Sequence, residues 1–523
     1  MKSQLTKGWG FHQTSLRFLI IVLLVLGVFF RFVNLDRKVY WLDEVYTSLR
    51  ISGYTEAELL AQTFDGHEIG IEDLQKYQRT NPEKGLSDTI KSLAVEDVHP
   101  PLYFVLSRFW VQWLGNSVAV TRSLSALISL LVFPCIYWFC RELFESPLVG
   151  GLVMALIAIS PFYVLYAQEA RPYSLWTVII VLSSAVLLYA MRRQTKLSWV
   201  TYGITLALGF YSHLYFGLIA IGHGIYVLLL ERFRLSKNCI AYLLASLAGL
   251  LTFVPWIWVI ITNLSIIEKQ TGWFRQKIPL TSLFKAWFVN LISIFFDINF
   301  EFDEKPWAYI FIFPLVFLVG YSIYFLCHNT SKQVWLFILT LMGVTALTLV
   351  LPDLILGGQR STAIRQLVPF YLSIQFAVAY FLTTQMYDAS FSKQRIWQAM
   401  MAMLISSGVI SCIISSQAEA WSNKMASNSN PQLARIINQA TNPLVISGYT
   451  PTNPGNLISM SYLLDPKVRL RLILDPKVNV PQIPQGFSEV FLYRPPNQLL
   501  DLLKKNYKLE AVQDRNRLWR IEK

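Results

Sequence analysis

Pro100-Pro-Leu-Tyr-Phe-Val-Leu-Ser-Arg-Phe-Trp-Val-Gln-Trp-Leu-Gly115 decides how this chain is threaded. The stretch is apolar enough to suggest a membrane crossing, yet it is 16 residues long, opens on two prolines and carries Arg108 and Gln112. A helix needs about 20 apolar residues to span the hydrocarbon core. If this stretch crosses, the N-terminal basic residues, Met191-Arg192-Arg193 and Glu231-Arg232-Phe233-Arg234 cannot all lie on one side. If it lies in the interface as an amphipathic helix, then Arg141, Arg192, Arg193, Lys196, Arg232, Arg234, Lys237, Lys332, Lys393 and Arg395 all join the N-terminus on the cytoplasmic side. That is the distribution the positive-inside rule expects. The second threading is adopted: eleven spans, N-terminus inside and C-terminus outside.

Composition agrees. A chain of 523 residues that is 54% hydrophobic and only 15% charged is too apolar for a soluble globular protein, which leaves the membrane class. The net charge of +13 is concentrated in short connectors and the terminal part, so topology accounts for much of it and a nucleic-acid partner is excluded. Cys135, Cys140, Cys239, Cys327 and Cys412 all lie in or beside apolar stretches, giving neither a disulfide framework nor a metal-thiolate spacing. Lys2, Lys7 and Arg17 ahead of an apolar run to about Phe30 resemble a signal peptide. No small-residue cleavage site follows, so an uncleaved anchor is expected. Apolar runs near 16–34, 118–140, 147–166, 173–191, 199–212, 213–230, 239–261, 307–327, 333–351, 366–386 and 396–416 supply the spans.

This threading sends the unusual polar segments to one face. They are the acidic loop 35–99, the connector Tyr166–Tyr173, the Trp- and Phe-rich loop 262–306, the connector Pro352–Arg365 and the tail from 417. A transporter places its polar groups near the midplane instead, often in broken helices. The tail changes character. Pro443–Ser447, Val468–Leu474, Glu489–Tyr493, Lys508–Val512 and Arg517–Ile521 read as strands, the last two a hairpin around Asp514-Arg515-Asn516. Asn456–Leu464 and Asn497–Asn506 read as helices. The expected domains are a membrane module over 1–416, with its first outer loop at 35–116, and a small α/β domain over 417–523.

Four motifs carry candidate chemistry. Asp43-Glu44 follows the first span; adjacent acids raise at least one pKa, and such a group takes a proton from an attacking hydroxyl or amine. The plainer reading is a pair of acids complementing a helix N-terminus. Asp97 and His99, ahead of Pro100-Pro101, suit metal binding, substrate orientation or acid-base work; a solvated loop-to-helix junction is the plainer reading, and His213 is a distant candidate for a further ligand whose plainer reading is a satisfied interfacial histidine. In Gln168-Glu169-Ala170-Arg171-Pro172-Tyr173 an arginine is set to grip a phosphate or carboxylate, while Tyr163, Tyr166 and Tyr173 fit an aromatic belt. Gly357-Gly358-Gln359-Arg360-Ser361-Thr362-Ala363-Ile364-Arg365 places two cations on the outer face, where they suit a phosphate, a pyrophosphate or lipid headgroups. Lys269, Arg275 and Lys277 beside Trp273 and Phe274 make a weaker version of the same case.

In their order and topological positions, Asp43-Glu44, His99-Pro-Pro-Leu-Tyr103 and Tyr166-Ala-Gln-Glu-Ala-Arg-Pro-Tyr-Ser174 resemble the GT-C glycosyltransferases of the protein O-mannosyltransferase and aminoarabinose-transferase type, clearest over about 35–180 and vaguer to about 370. The resemblance implies an all-α polytopic membrane enzyme, with interfacial helices in its first outer loop, that uses a polyprenyl-phosphate-linked sugar on the extracytoplasmic face, most simply of a bacterial plasma membrane. It implies Asp43 as catalytic base or acceptor contact with Glu44 in support, Glu169 and Arg171 shaping the site, and Arg365 near the lipid phosphate. Asp97 takes part of the role of an acid that some relatives carry near the Pro-Pro. Relatives often have Arg-Tyr where this chain has Arg365-Gln366, which keeps Arg360 in play. A metal is variable in the family, so a divalent ion stays open and none is inferred. The acceptor is a lipid, polysaccharide or protein. Rival readings are a transporter or flippase, which repeat halves and midplane charges would favour, and a lipid-linked polymer ligase or polymerase, whose large functional loop comes late in the chain.

Overall fold

The computed structural model describes residues 11–299, 309–388, 391–475, 483–512 and 517–522. Among these, seven helices are long and apolar enough to cross a bilayer, and an eighth if one bent pair counts as a single span. Among the described residues each apolar run read from the sequence is mainly helical, although several helices fall short of a full crossing; Phe216–Leu230, for example, has 15 residues. The stretch that decides the threading forms the helix Leu102–Leu114, which is not among the long apolar ones. Leu106, Phe109 and Trp113 are exposed along one side of it. Arg108 is turned inward, donating to Ile51 O (2.7 Å) and Thr89 Oγ1 (3.0 Å). A charge tied inside and an apolar stripe outside are what an interfacial helix offers to lipid.

The chain divides into two compact units. The membrane unit holds the described residues up to Val33, then Val98–Tyr103 and Arg122–Gln417; the outer-loop unit holds Asn34–Asp97, Phe104–Thr121 and the residues from Ala418 onward.

In the membrane unit the bent pair is Pro147–Ala158 and Pro161–Ala167, which meet at 64°. Pro161 supplies no amide hydrogen, so the helix cannot run through it and the carbonyls of the preceding turn lose their partners. In hydrocarbon such carbonyls must be satisfied from within the protein. Arg31, 1% exposed in the last turn of the first helix, does this: it donates to Ala158 O (2.7 Å), Ile157 O (3.1 Å), Gly27 O (2.8 Å) and Ser129 Oγ (3.1 Å). Cys412 Sγ covers Ile159 O at 3.3 Å. The approach requires Gly27, because a Cβ there would lie 2.6 Å from Ala158 O. The second half of the bent pair then delivers the Gln168–Pro172 turn.

The outer-loop unit is built on a six-stranded sheet. Its strands are β1 (Asp65–Ile69), β2 (Pro443–Gly448), β3 (Arg469–Ile473), β4 (Glu489–Tyr493), β5 (Lys508–Ala511) and β6 (Leu518–Glu522), in the order β1-β3-β2-β4-β6-β5. The pairs β2–β3 and β2–β4 are parallel, with Val445 opposite Leu470 and Leu444 opposite Val490; the remaining pairs are antiparallel. Leu444, Ile446, Val490 and Leu492 pack against Leu499 and Leu503, which are four residues apart on the helix Asn497–Asn506 and therefore share a face. All five tail strands expected from the sequence are present, and Asp514-Arg515-Asn516 lies outside the described residues. The addition is β1, an edge strand from the first outer loop. Its Asp-Gly-His-Glu-Ile sequence is mostly exposed and carries no apolar alternation, so pattern could not reveal it.

Candidate active site

The candidate residues fall into two sets, one in each unit. In the outer-loop unit, Trp41 N-caps the helix Leu42–Ile51, placing Asp43 and Glu44 in its first turn, where acids favour the dipole. Neighbouring helical residues point about 100° apart, and these two diverge accordingly. Asp43 is half-buried. Glu44 is fully buried: it accepts from Trp41 N (3.4 Å) and from Lys424 Nζ (3.2 Å), whose ammonium is 5.6 Å from the centre of the Trp41 ring. Leu42 N donates to Ser427 Oγ at 3.1 Å and Val39 N to Glu419 O at 2.7 Å, so the tail fixes the entry to this helix. Asp97 belongs to a second buried group. Arg50 reaches Glu96 at 2.7 Å and Asp97 at 3.6 Å, while the Glu96 carboxylate caps the helix Glu56–Thr63 by accepting from Glu56 N and Ala57 N.

In the membrane unit the Gln168–Tyr173 turn is the centre. Arg171 N donates to Glu169 O at 2.7 Å, closing the turn; Glu169 is fully buried and Arg171 nearly so. Arg171 Nη2 lies 3.4 Å from His99 Nε2, and Ser125 Oγ joins Arg171 O to the Tyr103 hydroxyl. Gln168 is directed elsewhere: its amide donates to Phe30 O (2.8 Å) and Val33 O (2.9 Å), tethering the end of the first helix. Tyr173 packs edge-on to Tyr166 at 5.1 Å.

His213 occupies the short turn between the helices Lys196–Ser212 and Phe216–Leu230, stacked on Trp176 at 4.1 Å. The His99, Arg171 and Arg365 charges all lie within reach of His213, so the four share one electrostatic neighbourhood, and Glu169 and Arg365 both lie near Tyr166. Arg360 takes a different course from Arg365. It pairs with the buried Asp353 at 2.9 Å, and Asp353 also accepts from Ser361 N and Ser361 Oγ, each at 2.7 Å. Gly358, at φ +140°, permits this loop: a Cβ there would lie 2.7 Å from Phe274 O and 2.8 Å from Asp353 Oδ1. The segment is tied to the 272–276 turn through Gln359 N, which donates to Phe274 O at 2.9 Å.

Sequence reading did not single out Lys424, Arg50, Asp353 or Trp176. Lys424 and Glu44 are 380 residues apart, and only the fold brings them together. Asp353 did leave a signal, an acid one residue past Pro352 at the end of an apolar run. Among the described residues no three His, Cys, Asp or Glu side chains are grouped to hold a metal ion.

The described residues thus form a multi-helix membrane fold that brings Arg171, His99 and the buried His213 together near the Gln168–Tyr173 turn. Residues 98–259 match the family model described as dolichyl-phosphate-mannose-protein mannosyltransferase. The fold is similar to that of ArnT from Cupriavidus metallidurans bound to undecaprenyl phosphate, with a TM-score of 0.52 and 12% identity over 96% of this chain and 97% of that one. It is also similar to the oligosaccharyltransferase of Archaeoglobus fulgidus in its apo form, with a TM-score of 0.51 and 12% identity over 88% of this chain and 65% of that one. No curated protein matches the sequence.

Proposed function

We propose that this protein is an inverting membrane glycosyltransferase that moves a sugar from a polyprenyl-phosphate-linked donor to an extracytoplasmic acceptor. The observation that carries the reading is the gathering of Arg171, Arg365, His99 and His213 around one turn of the membrane unit, a cationic setting suited to a lipid-borne phosphate. It agrees with a fold shared with a protein bound to undecaprenyl phosphate and with the family match over 98–259. The chain makes eleven crossings with its N-terminus in the cytoplasm of a bacterial plasma membrane. The candidate site and the tail's sheet then lie outside.

In this mechanism Asp43 takes the proton of the acceptor hydroxyl or amine as its lone pair attacks the anomeric carbon. The bond from that carbon to the phosphate oxygen breaks, its electrons stay on the phosphate, and Arg365, with Arg171 beside it, stabilises the developing charge. A single displacement inverts the anomeric centre. Glu44, engaged by Lys424, sets the helix that presents Asp43; Arg50 holds Asp97 and Glu96, and Asp353 holds Arg360, in supporting positions. The acceptor is a lipid, polysaccharide or protein.

The test compares membranes carrying the wild type, Asp43→Asn and Arg365→Ala, supplied with labelled polyprenyl-phosphate sugars. Asp43→Asn is expected to lower transfer by at least about 100-fold at unchanged protein level. Arg365→Ala is expected to raise the donor KM more than the acceptor KM. Normal transfer by a well-inserted Asp43→Asn protein removes Asp43 from the base's role, and an unchanged donor KM in Arg365→Ala removes Arg365 from the phosphate.

A further inference from the structure

Two helices of the membrane unit, Lys196–Ser212 and Lys237–Thr262, flank a cavity of about 710 Å³. Its floor is made of small residues: the helices approach until a Cβ on Gly203 would lie 3.3 Å from Ala245 O. Val200, Ile204 and Leu244 form apolar walls that are exposed on the surface of the bundle. At one end the lining becomes polar and positive. Lys196 and Lys237, the first residues of the two helices, stand there with Gln194 and Asn238. Thr195 and Ser236 cap the two helices through their side-chain oxygens, so both positive dipole ends open on this mouth. Among the described residues neither lysine is paired with a carboxylate, whereas the neighbouring Arg192 is engaged by Glu142 at 2.7 Å.

We infer that this cavity binds an anionic glycerophospholipid, its phosphate between Lys196 and Lys237 and one acyl chain along the small-residue floor. Two ammonium groups and two helix N-termini together match a phosphate diester. The exposed apolar walls match a hydrocarbon chain, and the volume is that of a ligand pocket. Basic pockets between membrane helices take lipid headgroups in this way. The mouth lies at the opposite end of the helix Lys196–Ser212 from His213, about 25 Å away at 1.5 Å per residue. This site is therefore separate from the donor site proposed above and does not depend on that assignment.

The test is native mass spectrometry of the full chain, released from detergent with phosphatidylglycerol or phosphatidylcholine. Wild type is expected to retain one phosphatidylglycerol and to discriminate against phosphatidylcholine. Lys196→Gln/Lys237→Gln should lower affinity for phosphatidylglycerol by about thirtyfold. Ala248→Trp, which fills the groove without touching the lysines, should lose the lipid as well. Melting temperatures identify any variant that fails to fold, in which case the other variant decides. Equal retention of phosphatidylcholine, or full retention of phosphatidylglycerol by either well-folded variant, overturns the proposal. So does displacement of phosphatidylglycerol by equimolar undecaprenyl phosphate, or cross-linking of Ala248→Cys to a second copy of the chain.

Discussion

Glu44 with Lys424 in the outer-loop unit, and Arg31 in the membrane unit, are almost equally hidden from solvent, yet their charges are satisfied in opposite ways. Glu44 and Lys424 answer each other as an ion pair. Arg31 instead donates to the carbonyls Gly27 O, Ala158 O and Ile157 O and to Ser129 Oγ. The pair loses two hydration shells and recovers them largely through its mutual attraction, helped by Trp41 N on Glu44 and the Trp41 ring by Lys424, which seldom leaves a large net gain. What it provides is a link between the first outer loop and a tail that begins nearly 400 residues later. Arg31 mends a helix broken by Pro161, at a depth where the alternative is an unsatisfied carbonyl. Each region thus relies on one buried cation, and the two cations should respond differently to removal.

The largest effect is expected at Arg31. Arg31→Met keeps much of the bulk but strips the donors from several buried carbonyls, for a loss of about 4 kcal/mol. Thermal unfolding in detergent should show a large fall in Tm or a failure to accumulate, and no second substitution restores it, because the orphaned partners are backbone. A variant as stable as the parent would mean that the break is held together by something else. The ion pair behaves otherwise. Lys424→Met leaves a buried carboxylate uncompensated and should cost about 3 kcal/mol. Adding Glu44→Gln neutralises that carboxylate and should recover most of the loss. If the double variant is no better than Lys424→Met alone, the two side chains are not coupled and the contrast with Arg31 fails.

The same contrast explains what could be read from the sequence. Local patterns carried far: the tail strands around Val445, Leu470 and Phe491 announce themselves as short apolar runs or alternations, and the Leu102–Leu114 helix could be set apart from the long apolar helices by its prolines, length and Arg108. Motif order also pointed to His99, Glu169, Arg171 and Arg365, which do share a region or charge field in the membrane unit. It could not say which polar residues are spent on structure. Gln168, part of the candidate turn, ties down Phe30 O and Val33 O; Arg360, a candidate phosphate ligand, holds Asp353. Partners such as Lys424 for Glu44 are set by topology, and β1 joins the sheet through backbone pairing that its polar sequence does not signal. In physical terms, periodicity reports burial, whereas pairing across hundreds of residues is known only after the fold has formed.

The smallest effect sharpens the comparison from the exposed side of the outer-loop unit. Glu58 resembles Glu44 in chemistry: it belongs to a capping box with Thr55 and pairs with a lysine, Lys84, at 2.7 Å, but its side chain is 40% exposed. Burial raises its carboxyl. The Lys84 ammonium and the Thr55 amide outweigh this and hold it below the ordinary value of 4.5. A folded value below the unfolded one means that the unfolded chain binds the proton more readily, so the contribution is complete above about pH 4.5 and disappears as the pH falls through the folded value. Lys84→Gln should therefore flatten the pH dependence of Tm below pH 5 while leaving Tm at pH 7 within about 0.5 kcal/mol equivalent of the parent, because water screens exposed pairs. If Lys84→Gln instead destabilised the protein at pH 7 as much as Lys424→Met, burial would not be what separates the two ion pairs. The difference between them would then lie in the capping geometry that Glu58 shares with Thr55.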